Sequence, residues 1–398
     1  MKILLVHRYF WPDHPNCGQI LWHLTKHFSS EGHTIEVLTS LTSKNLDSKK
    51  IHAKKKEIIK DIKIRRIDLN IEGRNPLKKI INGLVLGFWT NYLAVRNNYD
   101  VVISTSIPPI TGGFFAALAA YLIKARFIYF CMDLHPEAGK ISEDFSNPIL
   151  YSILRKIDNW SCSRANPVVV HSLDMKNTLL SRNGGNKLKI EIINNFSIPT
   201  ERLNKLNSKT NFNSEDKKLI IIFAGNLGRF QSLETVIEAM IFLKSRRDIE
   251  LIIVGNGSAK ANLAYKIKKT GVNVRLFDQQ PLNITKDMIN KADIGLVSLS
   301  SNIYKYGYPS KIMTYLEQGT PIVAVLEKES EIVKLMEHEN YGFCISALEP
   351  KKISQLFIKL AENNSWKSKM NNNAISAYEK YFSINKILSK WSDILKPL

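Results

Sequence analysis

Two cations and a set of glycines stand where they could hold a phosphate anion. Leu219–Phe230 reads LIIIFAGNLGRF, an apolar run that ends in Gly225, Asn226 and Gly228 and carries Arg229. Pro309–Ala324 reads PSKIMTYLEQGTPIVA, with Ser310 and Lys311 at the start of a helical pattern. The first amides of a helix are unpaired and its dipole favours negative charge, so a strand, a glycine turn and a helix start make an anion site. With Arg229 and Lys311 nearby, the fitting ligand is a diphosphate. A lysine in a first helical turn opposes the dipole and calls for an anionic partner, although a solvent-facing lysine remains open, as does a plain surface arginine at 229. Gly225 and Gly228 allow close backbone approach. Gly255, in Gly255-Asn256-Gly257, is a second candidate glycine, and Phe277 a candidate for a base pocket.

Asp133 follows an apolar strand, where a carboxylate can orient or deprotonate a hydroxyl; an N-cap is the competing reading. His135 and Glu137 are second choices for the same task. Gly18, placed in the loop after the first strand, is either a donor-side glycine or a turn glycine. Asp293 is read as a structural residue. No HExxH, P-loop, GxSxG or cluster of His and Cys occurs, so no metal site is expected.

These residues need a scaffold, and the chain supplies an alternating one. Apolar strands are expected at Lys2–His7, Thr34–Thr39, Asp61–Asp68, Val101–Ser104, Phe127–Met132 and Pro167–His171. Helical patterns fall at Gly18–Ser30, Thr111–Lys124 and Leu150–Ser163. A second set begins at Leu219–Phe223 and runs through Glu250–Val254, Val274–Phe277, Ile294–Ser298 and Pro321–Val325. Its helices are Leu233–Lys244, Ala259–Lys269, Thr285–Lys291 and Pro309–Gln318. Such alternation predicts an α/β class with two Rossmann-like parallel sheets. The expected division is 1–200, a polar linker 201–217, 218–375, and a C-terminal amphipathic helix 376–398 packing back on the first domain. A cleft between two such domains would take the ligand at the carboxyl ends of the strands.

Composition narrows the classes. The 398 residues are 44% hydrophobic, which excludes a disordered chain. The formal net charge is +20, and Lys44–Lys79 holds 13 Lys/Arg against 5 Asp/Glu. Such a cluster attracts anionic lipid, phosphorylated ligands or nucleic acid, or is simply a solvated lysine-rich surface. No nucleic-acid signature accompanies it, so nucleic acid is not an expected partner. Gly83–Val95 and Ile110–Ile123 are shorter than the roughly 18–20 residues that span a bilayer. The first is either an interfacial helix or a buried one. The four cysteines are scattered and read as reduced thiols, and the N-terminus lacks a cleavage-site pattern, so a cytoplasmic protein is expected.

Several segments, taken in order, resemble one family. MKILLVHRYFWPD with LTKHFSSEGHTIEVLTS is similar to its opening strand, helix and second strand. FCMDLHPE resembles an Asp-aromatic-Pro-acidic segment, with His135 where an aromatic is usual. VVVHSLDMK, IEIINNFS, FAGNLGRFQSLETVIEAM, IIVGNGSAKANL, KADIGLVSLS and PSKIMTYLEQGTPIVA follow in the family's order. The chain thus resembles the retaining, metal-independent GT-B glycosyltransferases (group 1, family 4-like), in the branch of bacterial capsule and O-antigen clusters. The resemblance implies transfer from a nucleotide diphosphate-sugar, with a UDP-sugar the expected donor, to a lipid-linked or growing saccharide. It implies no cofactor or metal, and peripheral placement on the inner face of the cell membrane through Lys44–Lys79 and Gly83–Val95. Asn226 and Gln231 stand where the family carries an Arg and a Lys, and Tyr306 and Thr314 where it carries two glutamates. Glu317 is then a candidate for the ribose contact or an exposed helical glutamate. Two alternatives are a sugar-nucleotide epimerase of the same architecture and a catalytically degenerate scaffold subunit.

Overall fold

The computed structural model describes residues 1–12, 16–41, 53–69, 76–141, 145–200, 218–346, 349–363 and 365–396. The expected linker 201–217 and the stretches 44–52 and 70–75 of the basic segment lie outside the described residues. The chain divides into two compact units. The first comprises Met1–Asn194, Tyr306–Tyr308 and Ile387–Leu398; the second comprises Asn195–Lys305 and Pro309–Lys386.

The first unit runs β1 (Lys2–Val6), α1 (Asn16–Ser30), β2 (Thr34–Ser40), β3 (Lys56–Ile59), β4 (Ile62–Ile67), α2 (Pro76–Asn97) and β5 (Val101–Thr105). It continues with α3 (Thr111–Leu122), β6 (Arg126–Phe130), α4 (Glu137–Ile141), α5 (Pro148–Arg164), β7 (Val168–Val170), α6 (Leu173–Leu180) and β8 (Ile190–Ile192). Its sheet order is β3-β4-β2-β1-β5-β6-β7-β8. All neighbours pair in parallel except β3 with β4. β1 and β5 are buried along nearly their whole length, as strands covered on both faces must be. β3 was not expected. It pairs antiparallel through a two-residue turn, Lys60-Asp61, whose φ values are +49° and +63°. That is a type I′ hairpin without the usual Asn-Gly signal, so the turn was legible only from the backbone. Asp61, expected to open the strand, is therefore a turn residue.

The second unit runs β9 (Leu219–Ala224), α7 (Leu233–Ile241), β10 (Ile249–Val254), α8 (Lys260–Thr270), β11 (Val274–Phe277), α9 (Leu282–Lys291) and β12 (Ile294–Ser298). α10 (Lys311–Glu317), β13 (Ile322–Val325), α11 (Glu331–Glu339), β14 (Gly342–Ile345), α12 (Pro350–Glu362) and α13 (Lys367–Ala377) follow. The sheet is wholly parallel, in the order β11-β10-β9-β12-β13-β14. Asp293 accepts the amide of Ile220 and pairs with Lys367 at 2.8 Å, which fastens the start of β9. The C-terminal helical stretch is interrupted by a π-helical turn, Tyr378–Phe382, and by extended Ser383. α14 (Ile384–Leu395) follows; from Ile387 on it belongs to the first unit, within which Trp391 packs against Phe28 and Phe130.

Candidate functional site

Strand order reverses between β9 and β12, and ligands in open parallel sheets bind at the carboxyl ends of strands where this happens. The loop that leaves β9 there is built by glycine. Gly225 has φ +142° and its amide donates to Val254 O at 2.9 Å; the Leu227 amide donates to Asn256 O at 2.9 Å. Gly255 and Gly257, at φ +158° and +157°, press against that loop from β10. A Cβ on Gly255 would lie 1.9 Å from Gly225 O, and one on Gly257 would lie 2.5 Å from Leu227 O. Only glycine fits this double turn. A 3₁₀ turn, Arg229–Gln231, precedes α7, and Ser300 holds it through Oγ to Arg229 O (3.2 Å) and N to Phe230 O (2.8 Å). Arg229 itself is exposed and, among the described residues, unpaired.

Lys311 reaches this loop. Its Nζ donates to Gln231 Oε1 at 2.8 Å and stands 4.3 Å from the Phe223 ring centre, while its Cε lies against Gly225. The residue keeps a partial surface, but its amine end is enclosed, and that burial lowers its pKa to about 7. An ammonium held by a neutral amide and a ring has spare charge for an anion. Tyr315, buried and missed by sequence reasoning, pins the end of β9 by accepting the Ala224 amide at 2.9 Å. Phe277 O accepts the Gly255 amide, and its ring lies under the Arg275 guanidinium.

The structure thus brings Gly225, Asn226, Gly228, Gly255 and Lys311 to one loop. Ser310 caps nothing with its side chain. Thr314 lies 3.4 Å from Ser197 Oγ. Glu317 is not an exposed helical carboxylate: it pairs with nearly buried Lys286 at 2.6 Å and accepts from Ser197 Oγ at 2.7 Å. A ribose contact there would have to compete with that ion pair.

The first unit has its own reversal point, between β1 and β5. Sequence reasoning missed what stands there. Buried His7, just past β1, puts Nδ1 2.5 Å from Thr105 Oγ1 and Nε2 3.4 Å from Cys17 Sγ. Burial lowers its pKa to about 3, so the ring is neutral and serves as a pin. Gly18 is not in a loop but in the first turn of α1, where a Cβ would come within 3.2 Å of Tyr9 O. The Asp133 amide donates to Ser106 Oγ at 3.2 Å, and Asp133 forms an isolated bridge with Gly307; the Leu134 amide donates to Tyr306 O. The Asp133 residue keeps a solvent-exposed part, yet desolvation by the protein around its carboxyl raises the pKa to about 6.

His135 and Glu137 are tied elsewhere. Buried Arg182 donates to both Glu137 oxygens (3.0 and 2.6 Å), to Asp158 Oδ2 (2.6 Å), to Asn159 Oδ1 (3.2 Å) and to His135 O (2.9 Å). The Glu137 carboxylate, expected on the acceptor side, is spent on Arg182. Its role is to fix the loop behind Asp133. Among the described residues, no group of three or more His, Cys, Asp or Glu side chains is placed to hold a metal ion, and no helix is long and apolar enough to cross a membrane.

Residues 204–377 match the family described as Glycosyl transferases group 1. The chain is 24% identical to the "Probable glycosyltransferase WbjE" of Pseudomonas aeruginosa over 311 residues, 75% of each chain. It is 32% identical to the "Putative colanic acid biosynthesis glycosyl transferase WcaI" of Escherichia coli K12 over 145 residues, 35% of this chain and 34% of that one. In fold it matches Anabaena Alr3699/HepE, solved in complex with UDP, with a TM-score of 0.73 over 99% of both chains at 15% identity. The match to the Glycosyl transferases group 1 family thus falls on the second unit, and the fold over the whole chain is that of the GT-B glycosyltransferases.

Proposed function

We propose that the chain transfers a sugar, with retention of configuration, from a nucleotide diphosphate-sugar to a lipid-linked or growing saccharide in surface polysaccharide biosynthesis. A UDP-sugar is the proposed donor; the HepE neighbour was crystallised with UDP and with UDP-glucose. One observation carries the reading: the Lys311 ammonium is held over the Gly225 loop at the point where strand order reverses. In this reading Lys311 and Arg229 meet the charge that grows on the departing diphosphate, and the glycines let backbone amides approach it. Asp133 orients or deprotonates the acceptor hydroxyl. The raised pKa suits a base that works near neutral pH. No metal takes part, so turnover unchanged by EDTA is expected. The acceptor would be met at the inner face of the cell membrane, which the chain would touch through Lys44–Lys79 and α2.

The test is a thermal-shift screen against UDP, GDP, ADP and CMP, run beside Lys311→Ala and Arg229→Ala. A ligand that binds only the folded state raises the melting temperature. A shift with one diphosphate that both variants lose supports the donor site. No shift with any nucleotide removes the reading. A second reading, a non-catalytic scaffold, draws on Tyr306 and Thr314 at the family's glutamate positions and on Glu317 being committed to Lys286. UDP binding without turnover of any UDP-sugar would favour it.

A further inference from the structure

The first unit carries a cavity away from its strand-reversal point. The cavity measures about 610 Å³ and lies wholly within that unit, at the amino ends of β6 and β7 and along β8. Asp133 follows the opposite end of β6, and no residue proposed for either substrate lines this space. Four elements meet there. Arg126 opens β6, Lys176 comes from α6, Lys189 stands just before β8, and Lys390 comes from α14. Isoleucines of β8 and α14 supply apolar lining between the cations.

Charge separates this cavity from plain lysine-rich surface. Five cations line it against two carboxylates. Asp393 is spent on Lys396 at 2.7 Å, which leaves Glu191 alone against Arg126, Lys176, Lys189 and Lys390. Among the described residues none of these four cations pairs with a carboxylate; Lys176 Nζ donates to Ile190 O at 3.3 Å. Arg126 is the telling case. Arg65, Arg66, Arg182, Arg246 and Arg275 each pair with a carboxylate. Arg126, half-buried, meets only neutral carbonyls: Nε donates to Asn166 O at 2.7 Å and Nη1 to Lys396 O at 3.2 Å. Burial lowers its pKa, as it must for a cation that loses water without gaining an anion. Its Nη2 is left for a further acceptor, and a guanidinium fork suits phosphate oxygens. Like charges gathered from four elements repel one another, and an anion among them removes that cost. Cavities of roughly 300–1,000 Å³ hold small organic ligands, so this one has room for more than a single phosphate.

We propose that this cavity binds a small soluble molecule with two or more phosphate groups, at a site separate from the donor loop. Its phosphates would join Arg126 and Lys189 to Lys390 and so fasten α14 to the sheet. The probe is inorganic triphosphate, titrated by calorimetry into the full chain with and without excess UDP, and hydrogen exchange locates it. Binding that persists in excess UDP is expected, with protection of 189–193 and 387–396 and a raised melting temperature. Lys189→Glu combined with Lys390→Glu should weaken it about tenfold, since two attractions become repulsions. Both lysines are exposed, so the fold is not at stake. Lys268→Glu combined with Lys269→Glu, exposed on α8, makes the same change in net charge and should leave the affinity unchanged. Equal losses in the two pairs would reduce the effect to general attraction and overturn the proposal. Protection confined to the Gly225 loop, or no binding at all, would overturn it as well. Capture by phosphatidylglycerol vesicles that the Lys189 and Lys390 changes abolish, with no binding of triphosphate, would assign the cavity to a lipid headgroup and overturn the soluble ligand.

Discussion

The two strand-reversal points are built by opposite means. In the second unit the loop after β9 is made of backbone. Gly225, Gly255 and Gly257 let two turns lie closer than any side chain would allow, and Lys311 is the cation laid across them. In the first unit the corresponding place is made of side chains. His7 pins β1 to β5, Ser106 holds the Asp133 amide, and Arg182 ties the following loop and α4 to α5 through five hydrogen bonds. A backbone cradle suits a group common to many ligands, such as a diphosphate. A side-chain scaffold can differ from one chain to the next, as the proposed acceptor site would have to.

Substitutions can break each half of this contrast. The largest effect is expected from Arg182→Leu, which strands Glu137 and Asp158 as buried carboxylates. A stability loss of about 3–5 kcal/mol is expected, measured by urea unfolding. A loss under about 1 kcal/mol would show that the network is not what holds the first unit's loop. Gly255→Ala comes next. Strained backbone of this kind costs roughly 1–3 kcal/mol, and here a Cβ must also displace Gly225 O, so both stability and UDP binding should fall. Full UDP affinity in that variant would mean that the double turn is not the cradle.

Lys311→Ala should remove about 1.5–3 kcal/mol of UDP binding, read by calorimetry, without a loss of stability, since a buried amine that opposes folding near neutral pH goes with it. A smaller and sharper test uses pH. Lys311 has a pKa lowered to about 7 in the free protein, and a bound diphosphate would raise it again. Below pH 7 the amine is already charged and affinity should be flat. Above it, binding must first take up a proton, so affinity should fall by about tenfold per pH unit until the pKa of the complex is reached. Calorimetry at pH 8 in two buffers of different ionisation enthalpy should show that uptake, and Lys311→Ala should abolish it. The same burial makes a contribution to folding. The unfolded lysine holds its proton to a higher pH, so this group opposes folding below pH 7, and the opposition fades as pH rises from 7 toward the ordinary lysine value.

What could be read from the residues alone was local. Apolar runs of strand length, separated by helical patterns, gave two parallel sheets within one or two residues at most ends, because a strand buried on both faces can hardly be written otherwise. The glycines after β9 and β10 and the lysine after Pro309 marked the loop at the second reversal point, since glycine spacing and an ill-placed cation are visible in one dimension. The β3 hairpin was not visible, for its turn lacks glycine. Nor were the partners of Arg182, which come from α4 and α5 (positions 137 and 158), or the meeting of His7 with Thr105, 98 residues away. The fate of Glu317 depended on Lys286 lying beside it. The outward side of α2 turned on the same kind of fact: Gly83 and Gly87 decide it only once α3 lies against them. Sequence fixes what a segment wants locally, and only tertiary packing decides which of its neighbours answers.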